Sequence, residues 1–448
     1  MKKYNKQVFK KCCDNIEKNL DKAFSIYEDL LDGNFSWEMF IDYQNVLIDA
    51  LYSEKKEELL LKDIRKQIRK GVDKLNDEKA INSFIDQLNF YEKNILIYGD
   101  FLCWTLYKND FDLVDEHIKK SKVGINSVGS GIIAEIEFIK KINVPENPQF
   151  YIYNSISSFL RIGDVSIFDK AKIRVIGLGE IKSSIPKDGQ MTISMDMIVK
   201  NNDIYYPKDM NVVTDGDKSF LTDEMIEHLE KQVHEMKESF NPNKIGIKLE
   251  KKVPCFHFAE LEKLINECDK NGVSYVKVSK DIAYIAMKND CSNAIDFSKY
   301  ISKSEIEKMF KKNHLKGENI IKFSNLNFLS NGKNVPYFYY PMSSDTIRKG
   351  LNQTICIVYT YNSIIDKFSK DGFQYITKKK IEYLEKKYDN KSIAICLKSI
   401  DELYTSMFLD EEGGISMIET MIKEVKNQPS VPKREIYVNV RNILSKQK

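Results

Sequence analysis

The chain has 448 residues, 42% hydrophobic and 30% charged, which is long enough for two or three domains with cores of their own. Its 69 basic and 66 acidic residues nearly cancel, at a net charge of +3, which excludes a general polybasic binder and leaves phosphate contact to local patches. No apolar run approaches a membrane span, and the opening Met1-Lys2-Lys3-Tyr4-Asn5-Lys6-Gln7 lacks an apolar signal region, so a cytoplasmic protein without membrane contact is expected.

Residues 1–123 read as a helical domain. Ile16, Leu20, Ala23, Phe24 and Tyr27 follow helical spacing, as do Leu47, Leu51, Leu59 and Leu60 in part. The stretch from Ile81 to Tyr107 is richer in apolar and aromatic residues and is expected inside. The basic runs Lys62–Lys70 and Lys119–Lys122 are read as solvated helix faces. Ser127-Val128-Gly129-Ser130-Gly131 breaks the pattern and opens a second domain, residues 124–242.

That second region carries the best chemical signal. Gly131 to Ile139 reads as a helix. At about 100° per residue, Glu135 falls within the stripe of Ile132, Ile136, Ile139 and Ile142, while Glu137 falls outside it. A glutamate on an apolar stripe needs a partner. Phe150–Ile156, Arg161–Phe168 and Ile173–Ser184 read as strands. On a strand, i and i+2 share a face, so Glu180 and Lys182 point together. A hairpin loop of Asp169–Ala171, pairing Phe168 with Lys172, places Asp164 on the face of Glu180. A bulge or bend near Gly163 or Gly177 must then bring the carboxylates together. Met191–Tyr206 adds further strands.

Two carboxylates and the main-chain carbonyl of Ile181 make an all-oxygen site for Mg²⁺ or Mn²⁺. Such an ion polarises a phosphate and acidifies its bound water. Lys182 is placed to orient that water or to offset charge on phosphoryl oxygens. The plain alternative is a turn-ending Asp164 and an exposed Glu180–Lys182 pair, worth about 0–1 kcal/mol.

The ordered set Glu135, Asp164, Glu180-Ile181-Lys182 resembles the PD-(D/E)xK nuclease superfamily, with Gly163-Asp164 where the family name has Pro-Asp. The resemblance covers roughly Val128 to Phe240. It implies a restriction-endonuclease-like mixed-sheet core, metal held by Asp164, Glu180 and the Ile181 carbonyl, and Lys182 as the assisting cation. It also implies Glu135 as a supporting acid, Gln232 on a later helix beside the site, and DNA as the substrate. A place in bacterial defence, with a partner protein or a homo-oligomer, is the associated expectation. The alternative function is a non-catalytic adaptor on a degenerate core. Val175-Ile176-Gly177-Leu178-Gly179-Glu180-Ile181 also resembles the start of a dinucleotide loop. That reading fails, because Lys182 stands where the third glycine belongs and no helix signal follows.

Phe240-Asn241-Pro242-Asn243 marks the start of a C-terminal mixed α/β domain, residues 243–448. Phe258–Asp269, Ser304–Lys312, Thr377–Tyr388 and Met417–Lys426 read as helices. Val273–Met287 reads as a hairpin turning at Ser279-Lys280-Asp281. Ile355–Tyr361 and Ile393–Leu397 read as buried strands, and a last strand is expected near Ile436–Val440. Tyr337-Phe338-Tyr339-Tyr340 offers base-stacking rings, with core packing the stronger reading. The eight cysteines form no C-x-x-C pair, and those in apolar runs, Cys356 and Cys396 among them, are expected as buried thiols. No H-E-x-x-H, Walker A or G-x-S-x-G motif is present.

Overall fold

The computed structural model describes residues 4–120, 129–183, 193–199, 257–288, 322–326, 328–332, 334–378, 381–388, 391–397, 401, 404 and 411–427. It is a mixed α/β chain, with a helical N-terminal region followed by several antiparallel sheets. Two compact units divide it: Met1–Lys244 with Leu329–Gly332 and Pro336–Tyr339, and Ile245–Phe328 with Lys333–Val335 and Tyr340–Lys448. The described residues of 1–123 and of 124–242, ranges expected as separate domains, fall in the first unit.

In the first unit, α1 (Lys6–Leu31), α2 (Trp37–Arg69) and α3 (Glu78–Tyr107) each start at a side-chain cap. Asn5, Ser36 and Asp77 accept from the free N–H groups of the first turn. Ile16, Leu20, Ala23, Phe24 and Tyr27 form the buried stripe of α1, and Leu47 and Leu51 lie inside α2. Leu60 is exposed, and Leu61 takes the buried position instead. The middle of α2 also buries Glu54, Lys55, Glu57 and Glu58. The short α4 (Phe111–Lys119) follows α3.

Helix α5 (Ser130–Ile142) packs against the first sheet, on β1 and β3. That sheet has the order β1 (Gln149–Tyr153), β2 (Val165–Asp169), β3 (Arg174–Ser183), β4 (Ile193–Val199), and its described pairings are all antiparallel where a mixed sheet was expected. The outer edge of β1 would expose backbone groups. Two buried amides close it. Gln44 of α2 donates to Tyr151 O at 2.9 Å and accepts from Tyr153 N at 3.0 Å. Asn143 exchanges both bonds with Tyr151 at 2.8 Å. A 3₁₀ turn, Asn154–Ile156, then carries the chain beneath α3. Gly99 permits that approach, since a Cβ there would stand 1.8 Å from Ile156 O.

The β2–β3 hairpin differs from the expected register. Phe168 pairs with Val175 rather than Lys172, and the loop is Lys170–Ile173. Asp169 Oδ1 accepts from Ala171 N and Lys172 N at 3.0 and 2.8 Å, and this Asx turn stabilises the longer loop. Ile173 takes a left-handed φ of 51°. Ile176 is then bulged out of the ladder, between Val175 opposite Phe168 and Gly177 opposite Ile167. The combined shift sets Val165 opposite Gly179, which brings Asp164 beside Glu180.

The second unit has a four-stranded antiparallel sheet in the order β5 (Val273–Lys277), β6 (Ile282–Lys288), β8 (Gln353–Tyr359), β7 (Lys322–Asn325). Helix Phe258–Asn271 packs on β5 and β6 and ends at Gly272 with φ 79°. Helices Ser344–Leu351, Asn362–Lys370 and Glu411–Asn427 also belong to it. Thr377–Tyr388, expected as a helix, instead supplies the end of β9 (Gln374–Lys378) and all of β10 (Ile381–Tyr388), paired with β11 (Lys391–Cys396). Leu384, opposite both Tyr375 and Ile395, is fully buried, and this packing overrides the helix preference of the flanking Glu and Lys residues.

The aromatic run lies inside. Tyr337, Phe338 and Tyr340 are buried, and the Phe338 ring centroid is 4.6 Å from both Tyr27 and Tyr98. These rings are core rather than stacking platforms. Cys356 is buried, whereas Cys396 is half-buried. The helix expected at Ser304–Lys312 and the strand near Ile436–Val440 lie outside the described residues. No described helix is long and apolar enough to cross a membrane.

Candidate active site

Four side chains meet where α5, β3 and the turn before β2 converge. Glu180 and Lys182 project from the same side of β3, and Lys182 Nζ lies 2.6 Å from Glu180 Oε1. Glu180 is 4% exposed, so this contact is an inward ion pair and not the solvent-facing pair of the plain alternative.

Asp164 stands one residue before β2, after Gly163 at φ 69°. Its N–H donates to Gly179 O at 2.9 Å, and its Oδ2 accepts the N–H of Ile181 at 2.7 Å. The carboxylate thus fills the ladder position that β2 vacates. Because Ile181 sends its N–H towards Asp164, its carbonyl faces the same edge, as N–H and C=O of one strand residue share a side.

Glu135 is half-buried on the sheet side of α5, while Glu137 is exposed. The Tyr153 hydroxyl donates to Glu135 Oε2 at 3.3 Å. Burial, then the charge of Asp164, pushes the Glu135 carboxyl well above the ordinary range. Burial, then Glu180, does the same to Asp164. Burial opposes the charge on Lys182, but Glu180, Asp164 and Glu135 outweigh it and hold the ammonium above its ordinary value. Glu135 and Asp164 hold their protons more readily because they are buried and because the carboxylates around them outnumber the one ammonium. A divalent cation would supply that charge, and the hard oxygen donors suit Mg²⁺ or Mn²⁺.

The oxygens of Glu135, Asp164 and Glu180 are not all within 4.8 Å of one another. Among the described residues that spacing occurs at Glu54, Glu58 and Glu92. There Lys55 Nζ already occupies the centre, 2.8 Å from Glu92, 3.1 Å from Glu58 and 3.5 Å from Glu54. That cluster is an internal ion network of the helical region.

Sequence reasoning missed two residues at the site. Tyr153 reaches Glu135 from β1, and the only signal was its place at the end of an apolar strand. Asp196 of β4 lies directly opposite Glu180, and its signal was a carboxylate within Ile193-Ser194-Met195-Asp196-Met197-Ile198-Val199. Gln232 lies outside the described residues. No family model, curated protein or solved structure matches the chain.

Proposed function

We propose that the chain is a divalent-metal-dependent nuclease with a PD-(D/E)xK-type core, hydrolysing phosphodiester bonds of DNA. The observation that carries this reading is the convergence of Glu135, Asp164, Glu180 and Lys182 where the β2–β3 pairing ends. The order of a glutamate-bearing helix followed by strands with the acidic pair and lysine also supports a restriction-endonuclease-like core.

Asp164, Glu180 and the Ile181 carbonyl would hold Mg²⁺ or Mn²⁺. The bound ion supplies phosphate polarisation and a water acidic enough to attack. Lys182, drawn in by Glu180, presents a fixed ammonium to the attacking water or to the phosphoryl oxygens. Glu135, protonated more readily than an ordinary glutamate, holds or releases a proton beside Asp164. DNA is chosen over RNA from the resemblance, and bacterial defence, with a partner protein or as a homo-oligomer, is the role that such a core suits.

Incubation with plasmid, linear and single-stranded DNA and with RNA, each with and without Mg²⁺, tests the reading. Metal-dependent cleavage of DNA by the wild type, lost in both Glu180→Ala and Lys182→Ala with an unchanged circular dichroism spectrum, is the expected outcome. Full activity in both variants rejects the assignment. A folded wild type that cuts nothing yet holds a nucleic acid or protein favours the adaptor.

A further inference from the structure

The turn carrying Asp164 is held by a hydrogen-bond chain that starts in α4. His117 is fully buried, and its Nδ1 accepts from Arg161 N at 2.9 Å and from Ile162 N at 3.0 Å. A ring nitrogen that accepts carries no proton, so the imidazole is neutral and protonated at Nε2. Nε2 therefore donates to the Tyr107 hydroxyl at 3.2 Å. Tyr107 donates to Ser166 Oγ at 2.6 Å, and Ser166 donates to Asn154 Oδ1 at 2.7 Å. This fixes the Asn154 amide, whose Nδ2 donates to Ile162 O at 2.9 Å and Gly163 O at 3.0 Å. The Asn154 backbone N–H donates to Asp164 O at 2.9 Å.

Every link runs in one direction, and all four side chains are buried. Across 161–164, the N–H groups of Arg161 and Ile162, the carbonyls of Ile162, Gly163 and Asp164, and the Asp164 N–H all have partners. The network fixes a left-handed Gly163 turn that an isolated loop would not hold, and Asp164 leaves that turn aimed at Ile181. The chain reaches no surface group and no reacting atom, so its role is geometric.

We infer that Asn154, locked by the His117–Tyr107–Ser166 chain, is the positioning residue that aims the Asp164 carboxylate into the proposed metal site. The inference rests on the nuclease reading for its consequence, but not for its geometry. Supporting partners of this kind change metal affinity by about 10- to 100-fold when removed.

The test uses the full chain and the variants Asn154→Ala and Ser166→Ala. The Ser166 variant deletes one hydroxyl and decides the matter if Asn154→Ala fails to fold. Hydrogen exchange of the Ile181 amide is read against the amides of Ile176 and Leu178, and Mn²⁺ affinity is measured by titration. The expected result is faster exchange at Ile181 alone and a Mn²⁺ dissociation constant raised at least tenfold. Wild-type values for either readout in a folded variant overturn the inference. If the wild type binds no Mn²⁺ and cleaves nothing, the nuclease reading fails, and Ile181 exchange alone then decides the positioning role.

Discussion

The Ile181 amide donates to Asp164 Oδ2 at 2.7 Å, which ties the turn before β2 to the residue between Glu180 and Lys182. One bond thus links the carboxylate of the turn before β2 to the carboxylate and ammonium carried by β3. It also orients the Ile181 carbonyl, because the two polar groups of that residue share a side of the strand.

Lys182→Met keeps the aliphatic stem and removes the charge. Glu180, 4% exposed, then loses its cation, and the proposed reaction loses its ammonium. We expect cleavage to fall by at least about 100-fold, the order seen for loss of one stabilising donor. Single-turnover rates at saturating Mg²⁺, with a thermal melt alongside, check this. An unchanged rate would remove Lys182 from the chemistry.

His117 sets an acid limit on stability. Burial first, then the charge of Arg161, pushes its pKa down to about 3. The unfolded chain protonates it near the ordinary value of about 6.5, while the folded chain does not. Stability is therefore full above pH ~6.5 and falls by about 1.4 kcal/mol per unit as pH drops towards 3. Urea unfolding at pH 6.5 and 5 should show a loss of about 2 kcal/mol from this group. His117→Gln should lack that component.

Glu54 acts in the opposite sense. It is fully buried, and burial first, with Glu92 and Glu58 adding to it against Lys55, pushes its carboxyl up to about 8. The folded chain keeps this proton between about pH 4.5 and 8, and the unfolded chain loses it. Its contribution is present at low pH and disappears as pH rises through that window. Wild type should lose about 2–3 kcal/mol between pH 6 and 8 from this group. Glu54→Gln should remove the slope and be the more stable form at alkaline pH, read by urea midpoints across that range.

Asp100 secures the turn after β1. It is fully buried and accepts from Ser157 Oγ at 2.8 Å, Ser158 N at 2.7 Å, Ser158 Oγ at 2.5 Å and Ser330 N at 2.9 Å. Asp100→Asn turns one acceptor into a donor facing donors. We expect a loss of about 2–4 kcal/mol by chemical denaturation. A change under about 0.5 kcal/mol, the usual size for a surface position, would contradict this account.

The strand parity of Glu180 and Lys182, and the choice of Glu135 over Glu137, were legible because period and apolar stripe decide them locally. The register was not. It depends on the Asx turn at Asp169 and the bulge at Ile176, and a single extra residue reverses the faces of everything beyond it. The β9–β10 hairpin was misread as a helix because Glu-Lys-Lys composition speaks for a helix, while the pairing with β11 that decides the outcome is not local. Tyr153 and Asp196 reach the site only through sheet order, and Asn154 only through a chain beginning some forty positions earlier, so neither periodicity nor motif spacing pointed to them.

Calorimetric titration of Mn²⁺ into the wild type and Asp164→Asn tests the metal site most directly. The amide is isosteric and still offers an oxygen to the Ile181 N–H, so the turn survives while the charge is lost. Saturable binding to the wild type, weakened at least tenfold in Asp164→Asn, is the predicted result. Equal binding by both proteins, or none by a folded wild type, would contradict a metal held where the β2–β3 pairing ends.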